Sequence, residues 1–112
     1  MSNVSTRLHD ADAVPIFAAL GDGTRLALLT KLSDGQTRSI AKLSADTKLT
    51  RQAITKHLHV LENAGLVSSI RIGRESQYAF QAQAIAEASA YLDRVSQQWD
   101  DALSRLRSFV ER

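Results

Sequence analysis

The chain of 112 residues suffices for one domain with a buried core and leaves little for a second. Apolar residues make up 44% and charged residues 23%, as in an ordinary soluble protein, and no apolar run approaches the length that spans a membrane. A net charge of +2 does not by itself indicate nucleic acid, and the lack of cysteine excludes disulfides, thiolate metal sites and thiol-based redox sensing.

The amino-terminal residues have no signal-peptide profile, so a cytoplasmic protein is expected. Residues 1–10 are polar and lack periodicity, which predicts a loose arm. A single domain over residues 1–112 is predicted, with four helices and a wing within residues 11–80 and a long helix at residues 82–111. The first helix is predicted to follow Asp12 with Pro15 in its first turn, and the second to be capped by Asp22.

A helix-turn-helix is predicted in the middle of the chain. Residues 37–44 predict a capped third helix of about two turns, and a polar break separates it from a fourth helix. Thr50 can cap the fourth helix, and Ala64 with Gly65 supplies a left-handed exit. In such a frame the second helix enters the major groove of DNA.

The fourth helix has two different faces. Ile54, Leu58 and Leu61 fall on one apolar stripe. The opposite arc carries basic, amide and hydroxyl side chains and no acid: Arg51, Gln52, Thr55, Lys56 and His59. Gln can bond adenine through two hydrogen bonds, and Arg or Lys can do so with guanine or bind phosphate. A solvated polar face is the alternative interpretation of any single helix of this kind.

A hairpin is predicted after this helix, with strands at residues 67–72 and 77–80 around a turn at residues 73–76. Residues 38–74 carry seven Lys or Arg and two acids, a balance of +5 that leaves −3 for the rest of the chain. Such a basic middle suits phosphate. We expect Gln52, Thr55 and Lys56 to contact base edges with His59 on the same face, and Thr50, Arg51, Arg71 and Arg74 to contact phosphates. For His57, on the flank between core and groove, partly buried packing is expected.

The long last helix has an apolar seam. Its positions alternate in spacings of three and four: Ile85, Ala88, Leu92, Val95, Trp99, Ala102, Leu106 and Phe109. A seam of this length favours a partner helix, and packing of the helix over its own domain is the alternative.

Three segments in order resemble the ArsR/SmtB family of winged-helix repressors. Residues 20–29 are similar to the family's Leu-Gly-Asp-Pro-Thr-Arg opening of the second helix, with Gly23 at the proline position. Residues 49–67 are similar to its recognition helix, and residues 71–74 with 78–80 to its wing. The resemblance implies a mainly α winged helix-turn-helix with a two- to three-stranded antiparallel wing.

The resemblance also implies a homodimeric repressor that an effector releases from a pseudo-palindromic operator. In such a dimer the first and fifth helices would meet across a two-fold axis, which places the following residues at the interface: Val14, Phe17, Leu92, Val95, Trp99, Leu103, Leu106 and Phe109.

No metal, cofactor or catalytic site is predicted. His57 and His59 point about 200° apart on a helix and cannot chelate one ion. The resemblance places thiol ligands at positions that hold Ser39 and Ala41 here, and no histidine follows His59. The adjacent carboxylates of Asp100 and Asp101 diverge by about 100° on a solvated helix, which does not suit acid–base catalysis.

Two rival functions stay open. The winged helix could be a protein-interaction or dimerisation module with an incidental basic face. The regulator could instead respond to a ligand in a pocket between the first and fifth helices, near Phe17, Tyr91 and Trp99.

Overall fold

A computed structural model describes residues 8–111. In chain order the elements are α1 (Asp10–Leu20), α2 (Gly23–Leu32), β1 (Arg38–Ser39), α3 (Ile40–Ser44), α4 (Arg51–Asn63), β2 (Val67–Ile72), β3 (Glu75–Phe80) and α5 (Ala82–Val110). The strands form one antiparallel sheet in the order β1-β3-β2. The predicted mainly helical fold with a small antiparallel wing is confirmed.

Helix α1 begins earlier than predicted. Its first residue is Asp10 and its N-cap is His9, so the start predicted after Asp12 is wrong and Pro15 lies beyond the first turn. Contacts from the distant α5 extend the helix: the Tyr91 hydroxyl donates to Asp10 Oδ1 at 2.5 Å and Arg94 Nη2 donates to Leu8 O at 3.0 Å. Most of the predicted arm, residues 1–7, lies outside the described residues.

The start of the third helix also differs from the prediction. Arg38 and Ser39 form a short strand whose partners in β3 are Tyr78 and Gln77, and only residues 40–44 are helical. Ser39 is the N-cap and accepts from the backbone of Lys42 at 3.2 Å. The edge pairing of this strand makes the helix start at Ile40, later than the local pattern indicates.

The caps around the helix-turn-helix agree with the sequence. Asp22 caps α2 by accepting from Arg25 N at 3.0 Å, and Thr50 caps α4 by accepting from Ala53 N at 3.1 Å. At the end of α4, Leu66 N bonds Leu61 O at 2.9 Å and Gly65 has φ 78°, the left-handed conformation that glycine adopts at little cost.

The wing hairpin is tighter than predicted. Ile72 pairs with Glu75, so the loop comprises Gly73 and Arg74 rather than four residues. Gly73 has φ 63° at the first loop position, which a two-residue hairpin loop accommodates. The strand β3 therefore starts two residues before the predicted Gln77.

The core lies between the helices and the inner face of the sheet. Its fully enclosed side chains come from α2, α3, α4 and the start of the wing: Leu28, Leu32, Leu43, Ile54, Leu58, Leu61 and Leu66. Burial of each such side chain stabilises the fold by about 1.5–3 kcal/mol before the entropy cost. Since the stripe of α4 is entirely buried here, its polar arc must face outwards.

Within residues 8–111, helix α5 packs on the core through its first turns: Ala88 belongs to the core cluster, and Ala84 and Ile85 pack against it. From residue 96 to residue 111 its side chains are exposed. Among the described residues, no single helix is long and apolar enough to cross a membrane; α1 and α2 reach that length and apolarity only as a pair bent by 92°.

Candidate nucleic-acid interface

The polar arc of α4 forms an open surface. Arg51, Gln52, Lys56 and His59 are exposed, Thr55 is half-buried, and these five side chains line a shallow concavity of about 560 Å³. Within residues 8–111, the side chains of Gln52, Lys56 and His59 make no hydrogen bond or ion pair. Their donors are therefore available to a partner molecule.

The two threonines are more constrained. Thr50 uses its hydroxyl oxygen to cap α4, and the hydroxyl of Thr55 donates to Arg51 O at 2.7 Å. A threonine whose proton bonds its own helix can meet a base edge as an acceptor or through its methyl group. In this conformation the Thr55 hydroxyl cannot also donate to a base, so the predicted base contact of Thr55 would use its oxygen as an acceptor or its methyl group.

The predicted phosphate contacts on the wing lie on a separate element. Arg71 is exposed on β2 and its Nε donates to Gly73 O at 3.4 Å, while Arg74 is exposed in the hairpin loop. Ser69 Oγ donates to Glu62 Oε2 at 2.7 Å and links the base of the wing to α4. The wing thus carries two exposed guanidinium groups on an element other than α4.

Two ion pairs change the charge balance of the basic segment that the sequence predicts, one by engaging a base and one by engaging an acid. Arg38, one of the seven counted bases, bonds both carboxylate oxygens of Asp34 at 3.0 and 2.6 Å. The same contact lowers the pKa of Asp34 to about 2. Lys31 Nζ lies 2.5 Å from Asp46 Oδ1 and lowers the pKa of that carboxyl. Within the described residues, the remaining bases of this segment form no ion pair: Lys42, Lys48, Arg51, Lys56, Arg71 and Arg74.

A polar cluster behind α4 has no role in the sequence predictions beyond the packing expected of His57. That histidine is half-buried, as predicted, and its Nδ1 lies 3.2 Å from Arg25 Nη1 and 3.9 Å from Asp22 Oδ1. A hydrogen bond from the backbone N–H of Arg25, together with the positive charge of the Arg25 side chain, lowers the pKa of Asp22. Arg25 belongs to the sequence motif at residues 20–29. Nothing in that motif indicates that Arg25 contacts His57, which lies 32 positions later in the chain.

The residues predicted at the dimer interface fall into two groups by their exposure. Phe17 and Val95 are half-buried, and the Phe17 ring lies 5.9 Å from the ring of Tyr91. The others are exposed apolar side chains on α1 and α5: Val14, Leu92, Trp99, Leu103, Leu106 and Phe109. Across residues 8–111 no three His, Asp or Glu side chains come together as a metal site would require.

Residues 22–69, from the cap of α2 to the first residues of β2, match the bacterial regulatory proteins of the arsR family. An uncharacterized HTH-type transcriptional regulator of Bacillus subtilis is 48% identical over 65 residues, which cover 53% of this chain and 71% of that protein. The chain belongs to the ArsR family. It is therefore a DNA-binding transcriptional regulator and not an enzyme, as predicted.

Solved structures of ArsR proteins show the same fold. An ArsR-like transcriptional regulator from Rhodococcus sp. RHA1 is 35% identical with a TM-score of 0.76, covering 88% of this chain and 92% of that chain. A homodimeric winged helix-turn-helix DNA-binding domain from Mycobacterium bovis is 23% identical with a TM-score of 0.61, covering 85% and 84%. The second likeness bears on the fold alone.

Proposed function

We propose that this ArsR protein is a cytoplasmic homodimeric repressor that reads a pseudo-palindromic operator and is released by an effector. Each protomer places α4 in a major groove and its wing beside the neighbouring minor groove or phosphates. Gln52, Thr55 and Lys56 contact base edges, with His59 beside them. Thr50, Arg51, Arg71 and Arg74 contact phosphates.

The observation that carries this proposal is the arc of α4. Four of its five polar side chains are exposed, the arc contains no acid, and its Gln and Lys donors are not engaged by the described part of the chain. A helix whose opposite stripe is fully buried cannot rotate this arc away from the surface. The arrangement suits direct readout, in which side-chain donors meet base edges.

The proposed dimer is supported by α5. Trp99, Leu103 and Leu106 are 67%, 63% and 58% exposed, which is unusual for large apolar side chains at regular helical spacing. The related domain from M. bovis is homodimeric. Pairing of α5, together with Val14 and Phe17 of α1, would cover this seam and hold two recognition helices at a fixed separation.

Release by an effector is supported by an open cavity of about 580 Å³ beside the dimer seam. It lies between the start of α1 and the middle of α5 and is lined by Leu8, His9, Asp10, Ala11, Tyr91, Arg94, Val95 and Gln98. Tyr91 is the one residue of the predicted pocket in this lining; Phe17 and Trp99 are outside it. A ligand here would touch both helices that the proposed dimer uses.

Selection of bound sites from random duplex DNA with the purified protein tests the proposal, followed by titration of the selected site at several salt concentrations. Three arginines per protomer on phosphate predict a slope of log K against log salt of about −5 for the dimer. A scrambled duplex of equal length is the control. A protein-interaction module with an incidental basic face would show no preference for the selected sequence.

A further inference from the structure

We propose that Arg25 is a positioning residue that orients the recognition helix by binding His57 and the carboxyl end of α1 at the same time. This inference rests on the proposed role of α4 in reading DNA. It assigns a function to the half-buried flank of α4 at His57, which contacts neither bases nor phosphates in the proposed complex.

One guanidinium joins three helices. From the first turn of α2, Arg25 Nε donates to Ala19 O at 2.7 Å and Nη2 donates to Ala18 O at 3.3 Å, both in the last turn of α1. Its Nη1 lies 3.2 Å from His57 Nδ1 on α4. Helix α1 has no basic residue in its own last turn. Arg25 of the next helix instead donates hydrogen bonds to the carbonyl groups at the end of α1.

The contact fixes the state of the His57 ring. A guanidinium only donates, so Nδ1 must accept, and the ring proton must lie on Nε2. Asp22 Oδ1 is also near Nδ1, but at 3.9 Å it is beyond hydrogen-bond distance, and the 3.2 Å contact with Arg25 decides the tautomer. His57 therefore accepts from Arg25 through Nδ1.

A directional contact at this place matters because the stripe by which α4 packs on the core is apolar. Burial of Ile54, Leu58 and Leu61 keeps this stripe of α4 against the core, but hydrophobic burial is non-directional and leaves small rotations of the helix possible. His57 follows Lys56 directly and lies at the edge of the buried stripe. A small rotation of α4 about its axis would move Gln52 and Lys56 relative to the base edges, and the bond from Arg25 opposes that rotation.

The same bond links α4 to the proposed dimer face, because α1 also carries Val14 and Phe17. A shift of α1 reaches Arg25 through two carbonyls and the recognition helix through one ring nitrogen.

The first test is made on the protein without DNA. The ¹⁵N shifts of the His57 ring should show the proton on Nε2, and Arg25→Lys should move the amide signals of α4 around Gln52 and Lys56. The compact ammonium group of lysine cannot reproduce the geometry of the planar guanidinium, which donates to two carbonyl groups and contacts one imidazole ring. A ring protonated on Nδ1, or unmoved α4 signals in Arg25→Lys, would overturn the proposal whether or not the protein binds DNA.

The second test is a double-variant cycle on the selected operator. Arg25→Lys and His57→Leu should each weaken binding by on the order of tenfold, since each removes a charge-assisted hydrogen bond. The double variant should be no weaker than the weaker single, within about twofold, because both changes break one contact. His57→Asn, which keeps an acceptor near the Nδ1 position, should recover part of the affinity.

Two controls separate positioning from other roles. The salt slope should stay unchanged in Arg25→Lys and fall by about one per protomer in Arg74→Ala, because only the latter loses a phosphate contact. Leu32→Val, two turns along α2 from Arg25, lowers stability by a core deletion and should bind normally at a temperature where all variants are folded. Additive losses of about a hundredfold in the double variant would overturn the inference. If the wild-type protein bound all duplexes equally, the proposed function itself would be refuted instead.

Discussion

Gln52 and Lys56 are the side chains on which sequence preference should depend. Both are exposed on the arc of α4 and have no partner within the described residues. Alanine at either position should weaken operator binding by about 1–3 kcal/mol and relax the preference at one or two base pairs. Binding to a panel of single-base operator variants measures both effects.

Arg74 in the hairpin loop is the matched comparison. Because phosphate contacts carry no sequence information, Arg74→Ala should weaken all duplexes alike. If Gln52→Ala and Lys56→Ala gave the same sequence-independent loss as Arg74→Ala, the assignment of base contacts to α4 would be wrong.

Asp34 gives a prediction for acid stability. Its pKa falls from 3.8 to about 2, chiefly because the side chain of Arg38 donates to it. With the folded pKa below the unfolded one, the contribution of this carboxylate is complete above about pH 4 and is lost as the pH falls through 2. Asp34→Asn should therefore lower the melting temperature at pH 5, and this difference should vanish towards pH 2. Asp100→Asn, at an exposed carboxylate on α5, should show no such trend.

At the scale of the elements, local signals were predictable and distant ones were not. Asp22, Thr50 and Gly65 mark helix ends through bonds within a few residues, so the sequence alone locates them. The strand at Arg38 exists because it pairs with Tyr78, and the early start of α1 reflects a contact between residues 81 positions apart. A window of local sequence contains neither partner.

In the candidate site, too, local sequence signals were predictable and contacts between distant residues were not. The five residues of the α4 arc share one helix, so periodicity alone groups them on one face. The link between Arg25 and His57, and the pairing of Arg38 with Asp34 that removes one base from the basic surface, depend on tertiary packing. The cavity beside Tyr91 also needs two helices far apart in sequence.

Gly23, at the position where the family has proline, offers a test of the start of α2. It is the first helical residue after the cap Asp22, whose φ of −147° and ψ of 130° suit a residue before proline. A Cβ at this position would meet no atom within 4 Å. Gly23→Pro should therefore stabilise the protein by about 0.4–1 kcal/mol, because it restricts the unfolded chain.

Chemical denaturation with Gly23→Ala alongside separates this effect from the added side chain. A destabilised Gly23→Pro with a normal Gly23→Ala would mean that the first turn of α2 does not have the backbone described.

The whole molecule is elongated, with extents of 66 × 41 × 23 Å. Helix α5 accounts for this shape: its 29 residues extend about 44 Å, and among the described residues its buried and half-buried side chains all lie in its first half. Two readings of its apolar seam were open from the sequence. Within residues 8–111 of one protomer the seam is buried at Ala88 and half-buried at Ile85 and Val95, which favours a partner chain for the exposed part.

Leu106→Asp tests that partner. If the seam meets a second chain, the substitution buries a carboxylate without a counter-charge, which costs several kcal/mol and dissociates a dimer of ordinary affinity. Ser104→Asp is the matched control, since it adds the same charge to the opposite side of the same turn, and Ser104 is exposed.

Sedimentation and operator titration of the same samples test the central claim, that two recognition helices held by α5 read one operator. We expect Leu106→Asp to be a folded monomer with most of its operator affinity lost, because binding to two half-sites requires both helices at fixed spacing. Wild-type protein and Ser104→Asp should be dimers that bind alike. A folded Leu106→Asp dimer with normal operator affinity would contradict the account.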